Sequence, residues 1–398
     1  MNRLCSLIVM IVVVSATALA EDWPQWRGPK RDGSCGEVPA KMLEAKPLWR
    51  RPMTGKCASG IAVAAGRLVV LDYGSGKDFV RSYSADKGET AWTHSYDNAV
   101  EMQYTAMPRA TPLIADGLVY TLSATGLLYC LKLDSGQVVW HADIAKVFGA
   151  KVPEYGYCAS PIIVDGKLII APGGPEAAIV ALDPKTGMPA WKTPGSRAAY
   201  ASFIAATFGG VKQIVNYAVD SLGGWDPATG KRLWKLVPPV NGDFNVGTPL
   251  AVDGKLVVST ENNRTRLYGF SDGGAIIDKP LAVNEDLFMD MGTPTAIGGL
   301  IFGTGSGLVC IDAKDLKTCW ISDEDASPRG FSKIIAGNGH IMIFCENGTM
   351  FLAAADRAKP RIIGSVSLSK DTWSHPAISN GRLYVRDDKL LYCYAIGK

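Results

Sequence analysis

The side chains with the most chemical potential are oxygen donors, a cation and a ring. Glu261, Asn263 and Asp290 carry the carboxylate and amide oxygens that Ca²⁺ takes as ligands. Arg329 supplies a cation able to stabilise negative charge forming on a bound group, and Trp373 a flat face for stacking. Other reactive types lack a chemical pattern. His94, His141, His340 and His375 are scattered without metal-ligand spacing, and neither a G-x-S-x-G elbow nor a Walker loop occurs. Gly303-Thr-Gly-Ser-Gly307 resembles a phosphate loop in composition, but it joins two strand-like runs with no helix after it. Cysteines form no C-x-x-C pair and no haem attachment site, which argues against zinc or haem.

The elements that must position these residues are strands. From Asp116 to Trp140 the chain reads as turn, apolar strand, turn, apolar strand, turn and a short strand closing on Trp. With the run from Thr111 to Ala115 in front, this is a four-stranded antiparallel meander. The closing Trp returns at Trp92, Trp140, Trp191, Trp234 and Trp320, and the last interval is doubled. The opening turn returns as Ala65-Gly66, Asp116-Gly117, Asp165-Gly166, Gly209-Gly210, Asp253-Gly254, Gly298-Gly299, Asn338-Gly339 and Asn380-Gly381. Short strands repeating every ~40–50 residues specify a β-propeller, here all-β with eight blades. The repeats fall at about 58–96, 107–144, 157–194, 199–237, 245–281, 290–324, 330–368 and 372–398. In the fifth and seventh, Ile277 and Ile363 stand near the expected Trp, which predicts looser rims there. Cys130, Cys310 and Cys393 share one place in the third strand and read as small buried residues. For a disulfide, the favoured pair is Cys35 with Cys57.

The ends of the chain fit the ring. Residues 1–20 have the charge, apolar run and Ala18-Leu19-Ala20 site of a secretory signal, which predicts cleavage before Glu21 and a secreted or periplasmic protein. No other segment is long and apolar enough to span a membrane. Residues 21–57 form an N-terminal segment rich in Pro and Gly, and 58–398 form the propeller. The last repeat has three strands. The stretch around Trp49, Leu48 to Arg51, is expected to supply its fourth and close the ring. Lys plus Arg number 41 against 38 Asp plus Glu, a balance that points away from nucleic acid as a partner.

Gly126 to Trp140, Asp183-Pro-Lys-Thr-Gly187 to Trp191, and Asp226-Pro-Ala-Thr-Gly230 to Trp234 resemble the tryptophan-docking repeats of pyrroloquinoline-quinone (PQQ) propellers. The start DWPQWRGPKRDG is similar to that of secreted bacterial PQQ-like, BamB-type repeat proteins. The resemblance spans essentially the whole chain after residue 20. It implies that Trp49, Trp92, Trp140, Trp191, Trp234 and Trp320 dock blade on blade, each indole N–H meeting a backbone carbonyl.

The family contains quinoprotein dehydrogenases and non-catalytic scaffolds, and repeat residues do not separate them. Long connections on one face carry Glu101, Tyr104, Arg109, Tyr155, Tyr157, Arg197, Tyr200, Asp243, Asn245, Glu261, Asn262, Asn263, Arg264, Asp290, Arg329, Trp373 and His375 around the channel mouth. In the dehydrogenase reading Glu261, Asn263 and Asp290 hold Ca²⁺ against PQQ, Arg329 polarises a quinone carbonyl, and Trp373 stacks on the ring. Against it, the chain has no adjacent cysteines and no insertions walling in a cofactor. The sequence therefore favours a monomeric scaffold for a protein or peptide partner, without a cofactor. The alternatives are a minimal quinoprotein oxidoreductase binding PQQ and Ca²⁺, and a lectin-like module using Trp373 and Tyr157.

Overall fold

The computed structural model describes residues 21–36, 38–322 and 328–397. The signal sequence expected over residues 1–20 lies outside the described residues. Thirty-two strands assemble into eight four-stranded antiparallel sheets. Within seven sheets the strands follow chain order, and the eighth is ordered Trp49–Pro52, Leu390–Ala395, Arg382–Arg386, Ala377–Ser379. These sheets are blades 1 to 8, blade 1 beginning at Ala62 and blade 8 at Ala377. The only helix among the described residues is a single turn, Ile144–Val147, after blade 2.

The Asp-Gly signals turn each blade from its inner strand to the second. All eight pairs have positive φ at both residues, from Ala65 at 49° with Gly66 at 72° to Asn380 at 53° with Gly381 at 69°. Such paired left-handed residues make the tight hairpin whose twist matches the flanking strands. These turns lie on one face with the hairpins between third and outer strands. The blade-to-blade connections and the hairpins between second and third strands share the opposite face, the loop face.

Blade-to-blade contact is made by the tryptophans. Trp92 donates to the Leu133 carbonyl at 2.8 Å, Trp140 to Pro184 at 2.9 Å, Trp191 to Pro227 at 3.1 Å and Trp320 to Asp356 at 2.8 Å. Trp49 does the same for the closed blade 8, reaching the Asp86 carbonyl at 3.1 Å. A Cβ on Gly136 would stand 2.6 Å from the Trp92 ring, so this turn has room for glycine alone. Trp234 differs. Its N–H goes to Gln213 in its own blade at 2.6 Å, and Gln213 donates onward to the Gly274 carbonyl at 2.7 Å. The reason is that blade 5 lacks the compact turn and instead runs through 269–281, placing Phe270 against Phe208 at 4.2 Å.

The two blades without Trp depart from the alignment read in the sequence. The position matching Trp140, which faces Cys130, is Ala282 facing Leu267 in blade 5 and Gly364 facing Leu352 in blade 7, not Ile277 and Ile363. Blade 7 is also covered at its rim, because Met42 packs where a Gly364 Cβ would project, 2.9 Å away. Cys35 and Cys57 are placed apart, Cys35 hydrogen-bonded to Ala336 of blade 7 and Cys57 against the Pro108 carbonyl. Cys130, Cys310 and Cys393 are fully buried.

Ala65 is the one opening-turn residue without the side chain or the freedom that left-handed backbone favours. Ala65→Asn should stabilise the chain by roughly 0.5–1 kcal/mol, read as a higher urea midpoint with an unchanged slope. A lower midpoint would show that the side chain is not what strains this turn.

Candidate functional site

The axis of the ring is filled by the chain's own N-terminal segment. Trp23 exchanges both backbone hydrogen bonds with Val63 of blade 1, and the Pro24 carbonyl accepts from Ile114 of blade 2. Trp26 donates to Thr248 of blade 5 and lies 4.2 Å from the His375 ring of blade 8. Arg31 bonds the Ser160 and Pro161 carbonyls of blade 3 and the Phe203 carbonyl of blade 4. Arg27 bonds the Thr293 and Pro294 carbonyls and the Thr295 hydroxyl of blade 6. Cys35 then pairs with Ala336 of blade 7. Thirteen residues, Trp23 to Cys35, thus reach all eight blades, in the inner strand or within two residues before it.

Asp22 meets Ala65, and the Gly36 and Val38 carbonyls meet Asn338, all at the turn face. The segment enters and leaves there, with Trp26, Arg27 and Arg31 at its tip toward the loop face. Both arginines are buried with no carboxylate of the described residues bonded to the guanidinium, and backbone carbonyls carry most of their hydrogen bonds. Burial lowers Arg27 to about 10 and Arg31 to about 9. Both residues have positive φ, 57° and 59°. Lys333, whose ammonium donates to the Thr372 carbonyl, is lowered by burial to about 8. Burial, with Lys333 and Arg27 nearby, holds His375 well below its ordinary value.

Above this plug, the loop-face connections bring aromatic rings together. Trp373 meets Tyr104 at 5.4 Å, Tyr104 meets Tyr155 at 5.9 Å, and Tyr155 meets Phe244 at 5.5 Å. Tyr200 closes against Tyr155 at 5.7 Å. Tyr104 is 58% exposed and Phe244 45%. Arg109 fastens the Tyr104 loop by donating to the Met107, Gln103 and Thr105 carbonyls.

Several residues read as mouth residues do structural work instead. Tyr157 is buried, its hydroxyl on the Pro172 carbonyl, so it offers no ring to a sugar. Asn245 is buried with its amide on the Ala218 carbonyl. Arg264 lies over Phe288 at 4.4 Å. Asp243 ties the blade 5 loop, accepting from Thr260, Asn262 and Asn263.

Glu261 and Asp290 are brought together, and Asn263 is not. The Asn263 side chain donates to the Val240 carbonyl at 2.7 Å and to Asp243 at 2.6 Å, while its oxygen accepts from the Val240 N–H. Both ends of the amide are therefore committed to the loop. Desolvation, then a hydrogen bond and charge repulsion from Asp290, push Glu261 up to about 7. Among the described residues no three or more His, Cys, Asp or Glu side chains converge to hold a metal ion. Trp373 stands edge-on to Tyr104 at 67°. Of the expected Ca²⁺ donors only Glu261 and Asp290 meet, so the trio does not converge as an oxygen cage.

Eight four-stranded blades with docked tryptophans define a PQQ-like β-propeller. The family model described as outer membrane protein assembly factor BamB matches residues 42–152 and 76–322, and the chain belongs to that family. Among solved structures, BamB from Moraxella catarrhalis superposes with a TM-score of 0.64 at 16% identity, over 89% of this chain and 100% of that one. Quinohemoprotein alcohol dehydrogenase from Comamonas testosteroni gives 0.66 at 14% identity, over 94% and 80%. A europium-containing methanol dehydrogenase gives 0.64 at 11%, over 94% and 98%. At such identities the likeness is one of fold. No curated protein matches the chain in sequence.

Sequence reasoning placed Trp49 correctly but missed Trp26, Arg27 and Arg31 as axial residues, and Phe244 as part of the aromatic arc. The signal for Trp26 and Arg27 was a Trp-Pro-x-Trp-Arg run in a segment without period.

Arg31→Met should cost about 3 kcal/mol or more, since it strips partners from three buried carbonyls, and Arg31→Lys should recover little of it. Equilibrium unfolding reads both, and a loss under 1 kcal/mol would contradict the bonding described.

The raised Glu261 carboxyl keeps a proton in the native state that the unfolded chain gives up near 4.5. Its contribution is complete below that value and disappears as pH rises through about 7. Across this window the melting temperature should fall, and Glu261→Gln should remove that fall.

Proposed function

We propose that this chain is a secreted or periplasmic scaffold that binds a protein or peptide partner on its loop face without catalysing a reaction. The observation that carries this reading is the filled axis. Where a propeller enzyme needs an open central seat, Trp26, Arg27 and Arg31 occupy the space and bond the surrounding inner strands. What the ring offers instead is the arc of Tyr104, Tyr155 and Phe244, partly exposed rings of the type that anchor protein interfaces. Membership in a family described by outer membrane protein assembly supports a protein partner. No helix among the described residues is long and apolar enough to cross a membrane. The scaffold is taken as a monomer, since the ring is closed by its own strand.

A minimal quinoprotein oxidoreductase is the second reading, and the adjacent Glu261 and Asp290 carboxylates favour it, because a cation would relieve their repulsion. Two measurements separate the readings. Photo-cross-linking residues at Tyr104 and at Phe244 should capture the same protein in the exporting host, while one at Asp253 on the turn face should not. Calorimetric titration of the purified protein with PQQ, with and without Ca²⁺, should give no saturable heat. Saturable Ca²⁺-dependent binding, with dye reduction by an alcohol or sugar, would overturn the scaffold.

A further inference from the structure

Beside the aromatic arc, the loop face of blade 2 carries an open groove of about 1110 Å³. One wall is the connection from blade 1, residues 97–104, and the other is the connection to blade 3 near 152–154. The floor is Thr125 and Leu127. Carboxylates stand on both walls, Asp97 and Glu101 on one side, Asp143 and Glu154 on the other, and no Lys or Arg lines the groove.

Two of the four are already used. Asp97 pairs with Lys77 at 3.1 Å, and Asp143 caps the Lys146 N–H at 3.0 Å. Glu101 and Glu154 line opposite walls with no ion pair among the described residues. Between the carboxylates lie apolar surfaces, Val100 half-exposed and Tyr104 more so. This negative site stands on a chain whose net charge is +3. Local charge of the opposite sign to the whole is a feature of recognition, because it selects what approaches the groove.

We infer that the groove receives an extended segment of the partner protein in which Lys or Arg alternates with apolar residues. An extended chain sends successive side chains to opposite sides, so cations can reach the carboxylate walls while apolar groups cover the floor, Val100 and Tyr104. The volume of the groove and its exposed apolar groups favour such a segment over a small cation, which would leave Tyr104 uncovered. This assignment rests on the scaffold reading and adds the chemistry of the partner to it.

The test uses the protein as exported and a fluorescein-labelled octapeptide alternating Lys with Leu and Val, beside a copy with Glu for every Lys. Fluorescence anisotropy at physiological salt should show saturable binding of the cationic peptide and none of the acidic one. Glu101→Gln with Glu154→Gln should weaken binding about tenfold. Glu44→Gln with Glu89→Gln, which removes as much charge away from the groove, should leave it within about twofold. Equal weakening by both pairs would reduce the effect to general charge and overturn the inference, as would binding of the acidic peptide or no saturable binding. If the peptide fails while Phe244 still cross-links a partner, the groove assignment falls and the scaffold stands. Failure of both, with PQQ binding, removes the scaffold too.

Discussion

Arg27 and Arg31 solve the problem that a ring of eight sheets creates at its centre. Inner strands end in carbonyls that point toward the axis and away from bulk water, and each must find a donor. Two guanidinium groups, planar and rich in donors, satisfy six acceptors on blades 3, 4 and 6 from one short loop. The cations are buried among dipoles without a bonded carboxylate, which lowers their affinity for protons and makes them depend on those carbonyls staying in place. Central packing and blade arrangement are thereby coupled.

The same segment settles the other weakness of a propeller, its seam. After Cys35 pairs with Ala336 the chain crosses blade 7, where Met42 covers Gly364, and reaches blade 8 as the strand Trp49–Pro52. Trp49 then docks on blade 1 as the other tryptophans dock on their neighbours. Thirty residues therefore fill the hole, cover a rim that lacks its Trp, and close the circle.

Much of this was legible in the sequence because propeller physics is local. Paired left-handed turns favour Asp, Asn or Gly followed by Gly, strands need β-branched and aromatic residues, and Trp49, Trp92, Trp140 and Trp191 each lie over a glycine of the next blade, so most blades write their own signature. The missing fourth strand of blade 8 could be counted, and Trp49 was there to fill it. What was not legible depends on contacts across the ring. Nothing in the spacing of Arg27 and Arg31 says that they reach blades 3, 4 and 6, more than a hundred residues away. Ala282 and Gly364 were misplaced because blade 5 adds an excursion over 269–281 and blade 7 a longer outer turn, its Ala354 N–H bonding the Arg361 carbonyl where Lys132 of blade 2 bonds Gln137, and residue counting passes over both. The trio of Glu261, Asn263 and Asp290 looked like a ligand set because side-chain type was visible and direction was not. Asn263 turns inward to hold Asp243, and only the two acids meet.

The central claim is that residues 22–36 are part of the ring and not a tail beside it. Hydrogen–deuterium exchange on the folded protein tests it most directly. The Trp23 and Cys35 amides, bonded at 2.8 Å to the Val63 and Ala336 carbonyls, should exchange as slowly as the inner-strand amides of Val63 and Ala336 themselves. Exchange of Trp23 and Cys35 at the rate of an exposed peptide, with the inner strands still protected, would contradict the account and reopen the axis to a ligand.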